Sequence, residues 1–196
     1  MRKIDLFELR REIFHVIAGI LGVIGILYFQ YTMTIALVLL VIGFFISLLA
    51  TQYKIPLITR GLCVFERECN MNFPGRGVLF FLAGALLSLQ LFSRNIALAS
   101  ILILTFADPV SHFAGANFGK INSRLNKNKN LEGTITGIII GALAASFFVP
   151  IGSAFIGASI AMVVELIGIK IGKEKIDDNL IIPLISGLVM SLISFI

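Results

Sequence analysis

Long apolar stretches separated by short polar segments run the length of the chain. They fall at residues 13–29, 33–50, 77–93, 95–113, 134–150, 152–168 and 179–196. The stretch from Ile35 to Ala50 shows no alternation of apolar and polar positions, so it does not read as a barrel strand. Lipid offers backbone groups no hydrogen-bond partners, which leaves helices. The pattern therefore predicts an all-α, polytopic membrane bundle of about seven transmembrane helices, in a single domain over residues 1–196. The joins between the first and second, third and fourth, and fifth and sixth stretches are very short and predict helical hairpins. Longer loops are expected at 51–76, 114–133 and 169–178. No internal repeat stands out.

Composition agrees with this pattern. Of 196 residues, 58% are apolar and 14% charged, whereas an ordinary soluble domain is about half apolar and a quarter charged. The net charge of +5 does not point to nucleic acid, because the basic residues lie in the short segments between apolar stretches. With seven crossings, every one of the 16 Lys and Arg residues except Arg94 falls on one side. The excess of basic residues marks the cytoplasmic face, so the N-terminus is expected inside and the C-terminus outside. Cys63 and Cys69 have neither the spacing nor the neighbours of a zinc site or a disulfide framework and are expected to be free thiols. No cleavable signal is expected, because acids accompany bases in the first twelve residues.

Ionisable groups inside a span are costly and commonly functional. Asp108 and Glu165 each lie about thirteen residues from the outer end of their stretch, or roughly 20 Å deep, which places both near the inner interface. His15 opens the first stretch from the inside, after Arg11 and Glu12. Asn179 opens the last, after Asp177 and Asp178. Polar groups from four helices are therefore expected to converge in one cytoplasmic layer. His112 shares a helix face with Asp108 and is suited either to orienting that carboxylate or to packing as a satisfied polar residue.

The densest local signal runs from Asp108 through Gly115 and Gly119 to Lys120. Glycines four apart allow close approach of a second helix or of a phosphate. Lys129, Glu132, Gly133 and Thr134 follow at the start of the fifth stretch, where a helix N-terminus favours anions.

In this order the motifs resemble those of the CTP-dependent lipid kinases: dolichol kinase, phytol kinase and the CTP-dependent diacylglycerol kinase of fungi. Four blocks carry the resemblance along nearly the whole chain. The first is Glu8, Arg11 and His15 followed by Gly19. The second is Asp108, Gly115 and Gly119. The third is Lys129, Glu132, Gly133 and Thr134. The last is Glu165 with Asp178-Asn179-Leu180 and Pro183. Ser111 stands where that family has Ala, and Asn130 where it has Ser or Thr. The middle blocks are also similar to those of CDP-diacylglycerol and CDP-archaeol synthases.

The resemblance implies transfer of the γ-phosphoryl of CTP to the hydroxyl of a membrane-embedded isoprenoid alcohol, dolichol-, polyprenol- or phytol-like. It implies an integral membrane location, with the active site facing the cytoplasm. It makes Asp108, Glu165, Lys129 and Glu132 the catalytic set. Gly115, Gly119, Lys120, Lys127, Gly133, Arg11, His15, Asp178 and Asn179 would bind the nucleotide. Mg2+ prefers a few carboxylates plus phosphate oxygens, and Asp108 and Glu165 would hold it, with Asp178 as a further ligand. The competing readings are a cytidylyltransferase forming a CDP-lipid, which shares this nucleotide and metal logic, and a non-enzymatic transporter using Asp108 and Glu165 as relay groups.

Overall fold

A computed structural model describes residues 5–29, 32–53, 73–121, 123, 126, 129–172 and 174–194. Among the described residues there are seven helices: α1 (Leu6–Tyr28), α2 (Thr32–Gln52), α3 (Arg76–Leu91), α4 (Arg94–Phe118), α5 (Leu131–Ala145), α6 (Ile151–Ile167) and α7 (Asp178–Ser194). A two-residue antiparallel ladder, β1 (Lys170–Ile171) with β2 (Glu174–Lys175), lies between α6 and α7. Each helix covers one predicted apolar stretch. The chain is a helical membrane bundle. Three helices, α1, α2 and α4, are long and apolar enough to cross a membrane by length and composition, while α3, α5, α6 and α7 are apolar but shorter, at 15–17 residues.

Several boundaries differ from expectation for local reasons. The first helix starts at Leu6 rather than near 13, because Asp5 caps it by accepting the Phe7 N–H at 2.8 Å. That extra turn and more brings Glu8, Arg11 and Glu12 onto a helix. The fourth helix runs on to Phe118, where Gly119 caps it, so Gly115 is helical rather than in a loop. The fifth ends at Ala145 instead of 150. A turn follows, and Pro150, which disfavours helical geometry in the residue before it, sits at the N-cap of α6.

Helix α4 is the centre of the bundle, packed against α1, α3, α5, α6 and α7. Small residues allow this crowding. Gly133, Gly137 and Gly141 on α5 face α4. A Cβ on Gly133 would run into the Ser111 carbonyl, and one on Gly141 would lie 2.9 Å from the Ala107 Cβ. Gly19 on α1 faces the Thr105 side chain just as tightly. Pro183 on α7 has no N–H to offer the Asn179 carbonyl, and Gly84 lets α3 close on that same carbonyl. The resulting core joins Ile103, Leu104 and Ala107 of α4 to Ala158, Met162, Ile182 and Met190. At one end of the molecule Arg94 donates to the carbonyls of Ile26 and Leu27 at 2.8 and 3.2 Å, a cation on the open C-terminus of α1.

Candidate active site

The polar groups gather at the other end, where the C-terminal halves of α4 and α6 meet the starts of α1, α3, α5 and α7. Carboxylate oxygens of Asp108 (α4), Glu165 (α6) and Asp178 (α7) lie within 4.8 Å of one another. Asp108 and Glu165 are 8% and 1% exposed, an arrangement that water does not stabilise and that calls for cations.

Lys129 supplies one. Its ammonium is ion-paired with Glu165, donates to the Glu165 carbonyl at 3.1 Å and lies 3.5 Å from Asp178 Oδ2. Burial works against this ammonium, but the charges of Glu165 and Asp178 outweigh it and hold its pKa above the ordinary lysine value. Lys175, from β2, donates to Asp178 Oδ2 at 2.6 Å. Asp108 Oδ1 and Asp178 Oδ1 are buried and have no hydrogen-bond partner among the described residues.

The backbone places Lys129. Its carbonyl accepts from Ser123 N–H at 2.8 Å and its own N–H donates to the Asn126 carbonyl at 3.0 Å. Glu132 ties this segment to the end of α4 by accepting the N–H groups of Lys120 and Ile121 at 2.9 and 3.0 Å. Asn130 donates its side-chain amide to the Gly115 carbonyl at 2.7 Å. The two predicted catalytic groups of this block thus separate: Lys129 enters the acid cluster and Glu132 fastens the loop. Gly119 and Gly133 are closely packed here, while a Cβ on Gly115 would meet only ordinary contacts. Gly119 lies against the Asn130 amide and Gly133 against α4.

A second layer adjoins the first through Asp108. Glu12 of α1, 7% exposed, accepts from Arg11 at 2.8 Å and contacts His112 Nδ1 at 3.0 Å through the same oxygen. The far edge of His112, Nε2, lies 3.9 Å from Asp108 Oδ1. Arg11 also pairs with Glu8 at 3.0 Å. His15 points elsewhere, with Nε2 3.3 Å from the Leu104 carbonyl and its ring edge-on to Phe81. On the opposite flank Asn179 donates to the Gly77 carbonyl at 3.1 Å and Arg76 pairs with Asp177 at 3.5 Å. Burial, helped by the neighbouring Asp178 charge, pushes the Asp177 carboxyl up to about 6.

Of the residues predicted from sequence, Asp108, Glu165, Lys129 and Asp178 are brought into one cluster, and Asn179 adjoins it on α7. Among the described residues, Arg11 reaches it through Glu12 and His112. Lys120 is placed by its backbone, and Lys127, Cys63 and Cys69 lie outside the described residues. The site also includes Glu12 and Lys175, which sequence reasoning did not select. The signal for Glu12 was present: it shares a face with Gly19 and Val23, the residues that α1 buries. The signal for Lys175 was hidden, because only the turn at Gly172, with φ 63°, folds the ladder that returns it.

The donor set fits a hard divalent cation. Three carboxylates stand close together, two of them with an oxygen that has no hydrogen-bond partner among the described residues, beside lysines that suit phosphate. A membrane-embedded helical bundle with such an acid–lysine site is the class of protein the fold and chemistry define.

Known proteins narrow the class. The chain is 29% identical over 148 residues to the CTP-dependent diacylglycerol kinase 1 of Schizosaccharomyces pombe, covering 65% of this chain and 64% of that protein. It is 27% identical over 88 residues to the Eremothecium gossypii protein of the same name, covering 45% of this chain and 27% of that one. An uncharacterized protein of Methanocaldococcus jannaschii is 28% identical over 186 residues, covering 94% of this chain and 93% of that protein. The chain thus spans from 27% to 64% of these two named kinases. No protein-family model and no solved structure matches it. The chain is thus similar to proteins named as CTP-dependent diacylglycerol kinases, in keeping with the resemblance its motifs carry.

Proposed function

We propose that the chain transfers the γ-phosphoryl of CTP to the hydroxyl of a membrane lipid at the cytoplasmic face. The observation that carries this reading is the meeting of Asp108, Glu165 and Asp178, from three helices, around the Lys129 ammonium. The relatives named for CTP-dependent lipid phosphorylation support the nucleotide and the reaction class. The basic residues at this end of the bundle, Arg11, Arg76, Lys120, Lys129 and Lys175, support a cytoplasmic orientation with all seven helices crossing and the C-terminus outside. The acceptor expected from sequence is an isoprenoid alcohol. Diacylglycerol, which the named relatives carry in their names, offers the same chemistry of one hydroxyl on an apolar body.

Phosphoryl transfer is mostly positioning and charge neutralisation. Asp108, Glu165 and Asp178 would hold Mg2+, which supplies charge neutralisation on the phosphates when bound. Lys129 and Lys175, already poised on the acids, would turn to the triphosphate as point charges. Asp108, through the carboxylate oxygen left off the ion, would take the proton of the lipid hydroxyl. A lipid oxygen–phosphorus bond forms, the β–γ bridging bond breaks, CDP departs and the hydroxyl proton passes to Asp108. The core of α4, α6 and α7 excludes water beneath this layer.

The test is purified protein with CTP labelled in turn at the γ and α positions, against diacylglycerol, dolichol, polyprenol and phytol. Label from the γ position in the lipid is the expected result. Label from the α position alone would make the protein a cytidylyltransferase instead.

A further inference from the structure

The acid cluster leaves Glu12 and His112 without a role, yet both are placed at some cost. Helix α1 carries many exposed apolar residues, among them Leu6, Ile13, Ile17 and Leu21, and a buried carboxylate in such a helix is expensive unless something is gained. Glu12 turns inward onto α4 and meets His112 Nδ1 at 3.0 Å. An ionised carboxylate only accepts hydrogen bonds, so this contact makes Nδ1 the donor and fixes which edge of the ring faces away. That edge, Nε2, faces Asp108 Oδ1 at 3.9 Å, too long for a hydrogen bond. His112 and Asp108 are four apart on one helix, so the ring cannot turn without changing the space open to the carboxylate. Arg11 holds the other end of the chain at Glu12.

We infer that Glu12 and His112 are positioning residues: Glu12 locks the His112 ring, and the ring sets where Asp108 Oδ1 stands within the cation site. This rests on the reading of Asp108, Glu165 and Asp178 as ligands of a divalent ion. A group one step behind a ligand typically changes metal affinity or activity by about 10–100-fold when removed. Oδ1 of Asp108 and of Asp178 both lack a hydrogen bond among the described residues, but Asp178 is held through Oδ2 by Lys129 and Lys175, so Asp108 is the ligand that gains most from a neighbour behind it.

The test uses the full chain in detergent or nanodiscs, with Mn2+ binding followed by electron paramagnetic resonance in the absence of nucleotide. Glu12→Gln and His112→Gln are each expected to weaken Mn2+ binding by about 10–100-fold, and the double variant to be no weaker than the more affected single one, because the two act in series. In turnover, the apparent KM for Mg2+ rises while the KM for the lipid stays at its wild-type value. Arg94→Gln, which loosens α1 from its far end, is the control and retains Mn2+ affinity. His112→Gln is measured beside Glu12→Gln, so a folding failure in one still leaves the other to decide.

Wild-type Mn2+ affinity in either folded variant overturns the inference, as do additive losses in the double variant or an equal loss in Arg94→Gln. Those outcomes leave the acid site standing. Failure of the wild-type protein to bind Mn2+ overturns the acid site itself, and this inference with it.

Discussion

Helices α2 and α4 are both long enough to cross a bilayer, and they have opposite fates. The more apolar of the two, α2, has 6% of its most apolar stretch buried, while α4, interrupted by Ser100, Thr105, Asp108, Ser111 and His112, has 78%. In water the order would be reversed. In lipid, apolar surface gains nothing by leaving hydrocarbon, so helices associate through close packing and polar contacts. Leu37, Leu39, Val41 and Phe45 of α2 stay exposed because lipid already suits them. The small and polar positions of α4 pull five other helices around it. In such a bundle hydrophobicity marks where the chain crosses, and departures from it mark what lies at the centre.

Substitutions can break this contrast at several strengths. The largest effect is expected at the functional end of α4. Asp108→Asn keeps the fold and lowers γ-phosphoryl transfer by about 10²–10⁴-fold, the scale of a removed proton acceptor. Labelled CTP and a melting curve in detergent check both halves, and full activity would remove the central assignment. Glu165→Gln on α6 is expected to be inactive at unchanged expression, read by the same assay and a membrane blot; wild-type turnover would return Glu165 to a structural role.

Next comes the packed part of α4. Leu104→Ala removes a side chain with no exposure and should destabilise the protein by ~2–5 kcal/mol, as large-to-small core changes do. A smaller loss is expected for Gly19→Ala, whose new methyl meets the Thr105 side chain; overpacking costs about 1–3 kcal/mol. The smallest belongs to α2. Leu39→Ala, at a position 52% exposed, should stay within about 0.5 kcal/mol of wild type. Thermal or denaturant unfolding in one detergent ranks the three, and a loss at Leu39 as large as that at Leu104 would end the distinction between the helices.

Much of the fold was legible because apolar length is a strong signal: each of the seven stretches became a helix. Caps and prolines decided their ends, and those were harder to see. Asp5 extends α1 backward and Pro150 cuts α5 short, both through one or two backbone groups that a long hydrophobic window averages away. At the site, Asp108 and Glu165 stood out because a carboxylate among apolar residues is too costly to keep without a partner or a function, and their equal depth on separate helices foretold their meeting. The glycines were ambiguous in sequence, since four-residue spacing serves a phosphate and a neighbouring helix alike. Here Gly133 lies on the Ser111 carbonyl and Gly119 on the Asn130 amide. The Glu12–His112 contact joins residues a hundred apart, and only the docking of α1 along α4 creates it.

The helices that build the acid cluster with α4 have a further consequence. These, α6 and α7 at 17 residues, and the adjoining α5 at 15, reach roughly 23–26 Å, against a hydrocarbon slab of ~30 Å. If all seven helices cross, as proposed, the membrane around this flank must dimple or the protein must favour thin regions, at a fraction of a kcal/mol per Å. A dimple lowers nearby headgroups toward the level of Asp108 and Glu165. In the proposed reaction the acceptor's hydroxyl would then be delivered by the sag of the leaflet, and turnover should follow acyl-chain length in reconstituted bilayers.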